Sequence, residues 1–126
     1  MVSDFGIGVD IESIGRFKKA DVIHDSSFLN KIFTGAELDY CFSVQMPAQH
    51  LAARFAGKEA IIKALTSLSR VSLGYNDIEI TNDKNGVPVA EIRKSGFDDL
   101  TIKLSLSHCK DEAIAFAMAI KMKRDS

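Results

Sequence analysis

Three polar groups interrupt the apolar pattern of this sequence, and their residue types could bind a metal ion or an anionic group. The first is Asp10, near the end of a predicted apolar strand, and the second is the adjacent pair Lys58 and Glu59 on a predicted helix. The third is the run 105–108, Ser-Leu-Ser-His, at the end of another predicted strand. Carboxylates are suitable oxygen ligands for divalent cations, whereas lysine and histidine can hold anions.

The charges on the helix have two interpretations. On a helical wheel, Lys58 projects inside the apolar stripe that contains Leu51 and Leu65, and Glu59 lies at the edge of that stripe. A charge in such a position is unfavourable unless it is paired or solvated. Either Lys58 extends its ammonium to water while Glu59 forms an i, i+4 ion pair with Lys63, or these groups serve a binding site.

Asp10 and His108 also have simpler structural interpretations. Asp10 could bind a metal, but Asp10 or Ser13 could equally cap a helical segment around Ile14. A histidine at a strand end is more often structural than catalytic. Cys109 follows His108, but adjacent strand residues point to opposite faces, so the sequence does not predict a thiol–imidazole dyad.

The elements that must position these groups follow from hydrophobic periodicity. Apolar residues alternate over 5–11, which predicts a first strand, and a helix is predicted from Pro47 to about residue 68. Turn chemistry at 82–86 joins predicted strands at 77–81 and 87–92. Thr34 and Glu37 have the spacing of a capping box at the start of a shorter helix.

The segment 113–120 contains conflicting signals. Its alanine and methionine content favours a helix, but alanine occupies every odd position and a large apolar residue every even one. A helix would scatter the large residues, whereas a strand places them on one face. We predict a strand that pairs with 100–107. The whole chain, residues 1–126, is then a single α+β domain with antiparallel sheet hairpins packed around one long helix.

Composition excludes several classes of function. The chain has 126 residues, with 16 Lys and Arg against 17 Asp and Glu, so its formal net charge of −1 argues against a general nucleic-acid binder. No apolar run reaches the roughly 18 residues of a membrane span, and Asp4 interrupts any signal-peptide pattern. The two cysteines, Cys41 and Cys109, predict neither a disulfide framework nor a zinc site. We expect a cytoplasmic protein.

The ordered set of motifs resembles the 4′-phosphopantetheinyl transferases, and the length resembles the single-domain holo-acyl-carrier-protein synthase branch of that family. The motifs are 8–11 (GVDI), 54–63 (RFAGKEAIIK) and 105–108 (SLSH), together with 33–38 (FTGAEL) and 85–88 (NGVP). The similarity covers nearly the whole chain. Each motif is weak by itself, but their order and spacing are specific.

The resemblance implies transfer of the phosphopantetheine arm from coenzyme A to a serine of apo acyl carrier protein, as in fatty acid biosynthesis. Asp10 and Glu59 match the family's Mg²⁺ carboxylates. Either carboxylate could take the serine proton, and our hypothesis is that Glu59, or a water held between the two, is the general base. The positions that match the family's coenzyme A contacts are Arg54, Lys58, Lys63, Ser105, Ser107 and His108. Among these, Lys63 and His108 are also expected to act in catalysis.

The resemblance also implies protein partners. Arg16 matches a docking position for the acidic carrier protein, and Lys18 and Lys19 belong to the same basic segment, although a solvated charged turn is the simpler interpretation. The resemblance to single-domain members implies that the chain forms a homotrimer with active sites at subunit interfaces. Two other functions remain open: a non-catalytic oligomeric domain that binds nucleotide or carrier, and a metal-dependent hydrolase of pyrophosphate bonds. Gly57, in the middle of the long helix, is expected to permit close approach of backbone or ligand.

Overall fold

The computed structural model of the chain describes residues 1–18 and 26–123, and Lys19 of the predicted docking segment therefore lies outside the described residues. The strands are β1 (Val2–Ser13), β2 (Ile78–Asn82), β3 (Pro88–Ile92), β4 (Leu100–His108) and β5 (Glu112–Met122). The α-helices are α1 (Ser26–Ile32), α2 (Gly35–Ser43) and α3 (Pro47–Thr66). Short 3-10 helices span Ile14–Phe17 and Tyr75–Asp77. None of the described helices combines the length and apolar composition that crossing a membrane requires.

The strands form two antiparallel groups around α3. The first is a three-stranded sheet in the order β1-β5-β4, and the second is the hairpin of β2 and β3. The predicted strand at 113–120 is confirmed, because β5 is the central strand and pairs with both neighbours. The predicted α+β class, with antiparallel hairpins around one long helix, is confirmed as well.

Small residues allow α3 to lie directly on the sheet. The side chains of β5 that face α3 are alanines, and Ala115, Ala117 and Ala119 are at most 1% exposed. On β1, a Cβ added to Gly8 would lie 2.0 Å from the carbonyl oxygen of Ala60. Real Cβ atoms do not approach an oxygen so closely, so a glycine is required wherever the helix backbone rests on this strand.

The opposite face of the three-stranded sheet, here called the outer face, carries the large apolar side chains. Between 42% and 57% of each of the following is exposed: Phe5, Ile7, Val9, Ile11, Ile114 and Phe116. The register places Ser105 opposite Phe116 and Ser107 opposite Ile114. Both serines therefore share the outer face with these apolar residues.

Local sequence signals explain how the helices begin and how α3 packs. Thr34 and Glu37 form the predicted capping box at the start of α2, with the Thr34 amide donating to Glu37 Oε1 at 2.8 Å. Pro47 occupies the first turn of α3, and this helix ends two residues before the predicted boundary. A Cβ at Gly57 would lie 2.8 Å from Ile80 Cδ1. Gly57 therefore makes room for the side chains of neighbouring strands.

Candidate active site

Asp10 lies on the helix-facing side of β1, where its carboxylate is largely buried. Its side chain is 11% exposed, and Oδ1 accepts a hydrogen bond from Lys63 Nζ at 3.1 Å. Among the described residues, its buried Oδ2 has no hydrogen-bond partner. Ser13, not Asp10, precedes the 3-10 helix, and the Ser13 side chain makes no capping bond. A buried carboxylate oxygen without a donor favours a ligand-binding role for Asp10 over a capping role.

Glu59 and Lys63 lie one turn apart on α3 and bind different partners. Lys63 donates to Asp10 and, at 3.0 Å, to the carbonyl oxygen of Val9 at the free edge of the sheet. Glu59 Oε1 instead accepts a hydrogen bond from the Tyr75 hydroxyl. That bond, together with burial, raises the pKa of Tyr75 to about 12. Lys63 thus joins the helix to β1 through Asp10 and does not form the i, i+4 pair with Glu59, which was one of the two interpretations of the sequence.

Glu12 is a third carboxylate beside those of Asp10 and Glu59, and the sequence analysis did not identify it as a site residue. Burial and the adjacent carboxylate of Asp10 raise the pKa of Glu12 to about 7. The nearby Glu59 adds to this effect, whereas Arg16 opposes it from 3.4 Å. Strand alternation was the available signal, because Glu12 follows Asp10 on the same face of β1. We call Asp10, Glu12 and Glu59 the acidic cluster.

The acidic cluster has donor chemistry that suits a hard divalent cation. Among the residues that the structure describes, no group of three or more His, Cys, Asp or Glu side chains is arranged to hold a metal ion. Mg²⁺, however, usually takes only one or two protein carboxylates and completes its shell with water and substrate phosphates. Asp10 and Glu59 supply two carboxylates, and the buried Asp10 Oδ2 has no donor within residues 1–18 and 26–123. These residues fit a magnesium site of that kind.

His108 and the two serines of the 105–108 motif lie on different sides of the sheet. In register, Glu12 of β1, Ala113 of β5 and His108 of β4 form one row, so two strand spacings, about 10 Å, separate the Cα atoms of Glu12 and His108. All three motif residues, Ser105, Ser107 and His108, are exposed. The structure thus brings His108 to the end of the sheet where the acidic cluster lies, and leaves the serines on the outer face.

Arg54 lies in a basic group that includes a histidine without a predicted role. The Arg54 side chain is nearly buried, donates from Nε to the Ile80 carbonyl oxygen at 3.3 Å, and covers the Tyr40 ring at 4.5 Å. His50 packs against the same ring, with centroids 5.6 Å apart. Burial and the charges of Arg54 and His108 lower the pKa of His50. The i, i+4 spacing of His50 and Arg54 on α3 was the signal that could have identified His50.

Comparison with known families identifies this arrangement. Residues 6–117 match the family described as the 4′-phosphopantetheinyl transferase superfamily, and this range contains every residue of the acidic cluster together with Lys63 and His108. The chain belongs to this superfamily. The predicted family is therefore confirmed.

Individual relatives in the superfamily match almost end to end. The holo-[acyl-carrier-protein] synthase of Protochlamydia amoebophila (strain UWE25) is 40% identical over 116 residues, which is 90% of this chain and 95% of that protein. The one from Thermodesulfovibrio yellowstonii is 44% identical over 113 residues, 90% of this chain and 96% of that protein.

Solved structures of such synthases share the fold. The Bacillus anthracis synthase, in complex with coenzyme A (3′,5′-ADP), superposes with a TM-score of 0.76 at 28% identity and covers 93% of this chain and 96% of that one. The Helicobacter pylori synthase, in complex with coenzyme A, gives a TM-score of 0.75 at 29% identity, with 88% and 96% covered. The predicted 4′-phosphopantetheinyl transferase fold is confirmed.

Lys58 does not lie where a superfamily coenzyme A ligand was expected. Its side chain is 0% exposed, and Nζ donates to Glu37 Oε1 and to the Ile32 carbonyl oxygen, each at 2.6 Å. A third bond, of 3.0 Å, reaches the Tyr75 carbonyl oxygen, and Glu37 Oε2 accepts from the Ile80 amide at 2.8 Å. Burial lowers the pKa of Lys58, and Glu37 opposes that shift.

We call Lys58 and Glu37 the closed ion pair. Its geometry corrects two expectations. The ammonium does not extend to water, and its three protons are all donated within the protein, so none is left for a phosphate of coenzyme A. Lys58 therefore stabilises the junction of the helices and is not assigned to the substrate site.

Of the predicted docking residues of this superfamily member, Arg16 lies beside the acidic cluster and Lys18 is exposed. The Arg16 side chain is 51% exposed, lies 3.4 Å from Glu12 and covers the Phe55 ring at 5.1 Å. Lys18 is also exposed and lines a cavity of about 530 Å³. The structure thus places Arg16 next to the acidic cluster, whereas the cavity that Lys18 lines contains no residue of that cluster.

Proposed function

We propose that the chain transfers 4′-phosphopantetheine from coenzyme A to a serine of apo acyl carrier protein and releases adenosine 3′,5′-bisphosphate. The observation that carries the proposal is the cluster formed by Asp10, Glu59 and Lys63 at one open end of the sheet. These residues lie in a chain that matches the superfamily over residues 6–117. Its curated relatives are named holo-[acyl-carrier-protein] synthases.

The reaction exchanges one phosphorus–oxygen bond for another. The serine hydroxyl oxygen of the carrier attacks the phosphorus that bears pantetheine, the pyrophosphate bond to the nucleotide breaks, and the serine proton passes to a base. Negative charge develops on the leaving phosphate, so the site needs fixed positive groups. Asp10 and Glu59 would hold Mg²⁺, which supplies positive charge that offsets the charge of the pyrophosphate.

Protein groups supply the remaining functions. The Lys63 ammonium is 53% exposed beside Asp10, which suits contact with phosphate oxygens. The base is Glu59, or a water held between Asp10 and Glu59, because a carboxylate can accept the serine proton directly or through a bound water.

The remaining coenzyme A contacts are assigned to two places. We propose that Arg54 and His108 act at the basic group, where they lie close enough to His50 for both of their charges to lower its pKa. Ser105 and Ser107, exposed on the outer face, are assigned to the nucleotide and its phosphates.

We also propose that Arg16, Lys18 and Lys19 dock the carrier protein. Carrier proteins are acidic, Arg16 and Lys18 are both exposed, and Arg16 lies next to the cluster that would receive the carrier serine. Arg16 reaches toward Glu12, so the docking surface and the acidic cluster adjoin. A carrier bound there would bring its serine close to Asp10 and Glu59.

A homotrimer with active sites at subunit interfaces is the proposed assembly. The outer face exposes six large apolar side chains on two adjacent strands, which is more than scattered surface residues would give. Ser105 and Ser107 share this face, whereas Asp10 lies on the opposite side of the sheet. A neighbouring copy that covers the outer face would bring its own acidic cluster toward these serines.

Sedimentation of two matched variants tests the assembly. Phe116→Asp places a charge on the outer face and is expected to give monomers with little transfer activity. Val71→Asp changes an exposed apolar residue elsewhere, 65% exposed, and is expected to remain trimeric and active. A fully active wild-type monomer would refute the proposed assembly.

Mass spectrometry of the carrier protein tests the function. The purified protein is incubated with coenzyme A, Mg²⁺ and apo acyl carrier protein, and one added phosphopantetheine on the carrier is expected. Release of adenosine bisphosphate without carrier modification would instead indicate a hydrolase, and neither product would indicate a binding domain. We propose a cytoplasmic location, in keeping with the free thiols of Cys41 and Cys109.

A further inference from the structure

Tyr75 contacts the acidic cluster from outside the helix and strand that build it. It begins the 3-10 helix Tyr75–Asp77, which precedes β2, and its hydroxyl donates to Glu59 Oε1. This is a bond from a neutral phenol to a carboxylate that is assigned to Mg²⁺. None of the sequence motifs contains Tyr75.

Both ends of Tyr75 are fixed by α3. Its ring packs on the Phe55 ring, with centroids 5.4 Å apart, one turn before Glu59. Its carbonyl oxygen accepts a bond of 3.0 Å from Lys58, the buried neighbour of Glu59 in sequence. Lys58 is in turn held by Glu37, so the backbone of Tyr75 rests on the closed ion pair. The position of the phenol therefore depends on fixed neighbours on either side.

We infer that Tyr75 is a positioning residue, whose hydroxyl holds the Glu59 carboxylate in place for a divalent cation. The bond engages one carboxylate oxygen and restricts rotation of a side chain that has three flexible torsions. Partners of this kind orient metal ligands, and their loss typically weakens metal binding 10- to 100-fold. The inference rests on the proposed function, because that function makes Glu59 a metal ligand. It also gives Lys58 an indirect role in the site, through the Tyr75 carbonyl.

Tyr75→Phe isolates the hydroxyl, because the ring and the backbone carbonyl remain. Mn²⁺ is titrated into the protein in the presence of coenzyme A, and free Mn²⁺ is followed by electron paramagnetic resonance. We expect the dissociation constant to rise about tenfold in Tyr75→Phe. The matched control is Thr66→Val, which removes a hydroxyl bonded to Ile62 on the same helix and is expected to bind Mn²⁺ as the wild type does.

Kinetics and unfolding distinguish positioning from a general structural role. In transfer assays, the apparent Mg²⁺ constant of Tyr75→Phe is expected to rise about tenfold, while the KM for the carrier changes less than about twofold. The melting temperature of the metal-free variant is expected to stay within about 5 °C of the wild type.

Two results would overturn the inference: an unchanged Mn²⁺ constant, or an equal rise in Thr66→Val. Failure of the proposed function is a separate outcome. In that case the wild-type protein leaves apo carrier unmodified, while Tyr75→Phe still weakens Mn²⁺ binding. If the wild type modifies the carrier and the two Mn²⁺ constants agree, the inference alone fails.

Discussion

Two charged residues that are neighbours on α3, Lys58 and Glu59, occupy opposite kinds of environment. Lys58 is fully buried, and its ammonium makes three hydrogen bonds within the protein, one of them to Glu37. Glu59 is half-buried and belongs to an acidic cluster in which one carboxylate oxygen of Asp10 has no donor among the described residues and the pKa of Glu12 is raised to about 7.

The difference separates charges that hold the fold from charges that could act on a ligand. In the closed ion pair, every strong donor has an acceptor, so the pair can gain nothing by binding another group. In the acidic cluster, like charges face one another and a buried oxygen is unpaired, so a cation would relieve an existing repulsion. The state of the surrounding hydrogen bonds, more than the residue type, indicates which charges have a function.

Breaking the closed ion pair should have the largest effect of the changes considered, and that effect is on the stability of the fold. Lys58→Met leaves the Glu37 carboxylate buried without its counter-charge, and we expect the free energy of unfolding to fall by about 3–5 kcal/mol. Urea unfolding measures the change. The double variant Lys58→Met/Glu37→Leu is the control and should recover part of the loss. If Lys58→Met instead had normal stability and a raised KM for coenzyme A, Lys58 would have to be assigned to the substrate site.

Removing a carboxylate from the acidic cluster should impair transfer and leave the fold intact. In Asp10→Ala and in Glu59→Ala, we expect the transfer rate to fall by about 100-fold or more, because the cation loses a ligand. The free energy of unfolding of Asp10→Ala should change by less than about 1 kcal/mol, because loss of the half-exposed Lys63 ion pair opposes the relief of repulsion with Glu12. Folded variants with near-normal transfer rates would disprove the proposed metal site.

Reversing the exposed charge beside the cluster should affect the carrier more than coenzyme A. In Arg16→Glu, we expect the KM for the carrier to rise about tenfold at low salt and its salt dependence to disappear. Lys84→Glu, in the turn between β2 and β3, is the matched control and should behave as the wild type. Salt-independent kinetics of the wild-type protein would argue against electrostatic docking.

The smallest effect concerns Glu12 and depends on pH. Its pKa in the folded protein, about 7, lies above the ordinary value of 4.5, so the folded state binds this proton more tightly. The stability of the metal-free protein should therefore fall as the pH rises from 4.5 through 7. Glu12→Gln should remove this slope and be on the order of 1 kcal/mol more stable than the wild type above pH 7. Thermal unfolding in the presence of EDTA measures this pH dependence. If the stabilities of the wild type and of Glu12→Gln changed equally with pH, the raised pKa of Glu12 would be contradicted.

The sequence predicted the elements well because their signals are local. Alternation was sufficient to identify β5 as a strand against its helix-favouring composition, and the capping box placed the start of α2. The helical wheel placed Lys58 inside the apolar stripe, but it predicted neither the burial of its ammonium nor its partner. Glu37 lies 21 residues earlier on another helix, and only the packing of α2 against α3 brings them together.

The rest of the site depends on tertiary placement in the same way. Alternation put Ser105 and Ser107 on one face of β4, but it could not show that this face is the outer one. Glu12 resembles any charged residue near a strand end, and its raised pKa comes from burial, from Asp10 two residues earlier on β1 and from Glu59 on α3. Such effects arise only once the sheet and helix have met.

Gly6 and Gly8 control the geometry of the acidic cluster without touching it. A Cβ on either would lie about 2 Å from a carbonyl oxygen of α3, so the separation of helix and strand is set by two backbones in contact. Asp10 is two residues beyond Gly8, and Glu59 immediately precedes Ala60, whose oxygen Gly8 meets. A methyl group added at either glycine would push β1 and α3 apart and so increase the separation of the Asp10 and Glu59 carboxylates. The distance between the two elements that carry these carboxylates therefore depends on two residues that have no side chain.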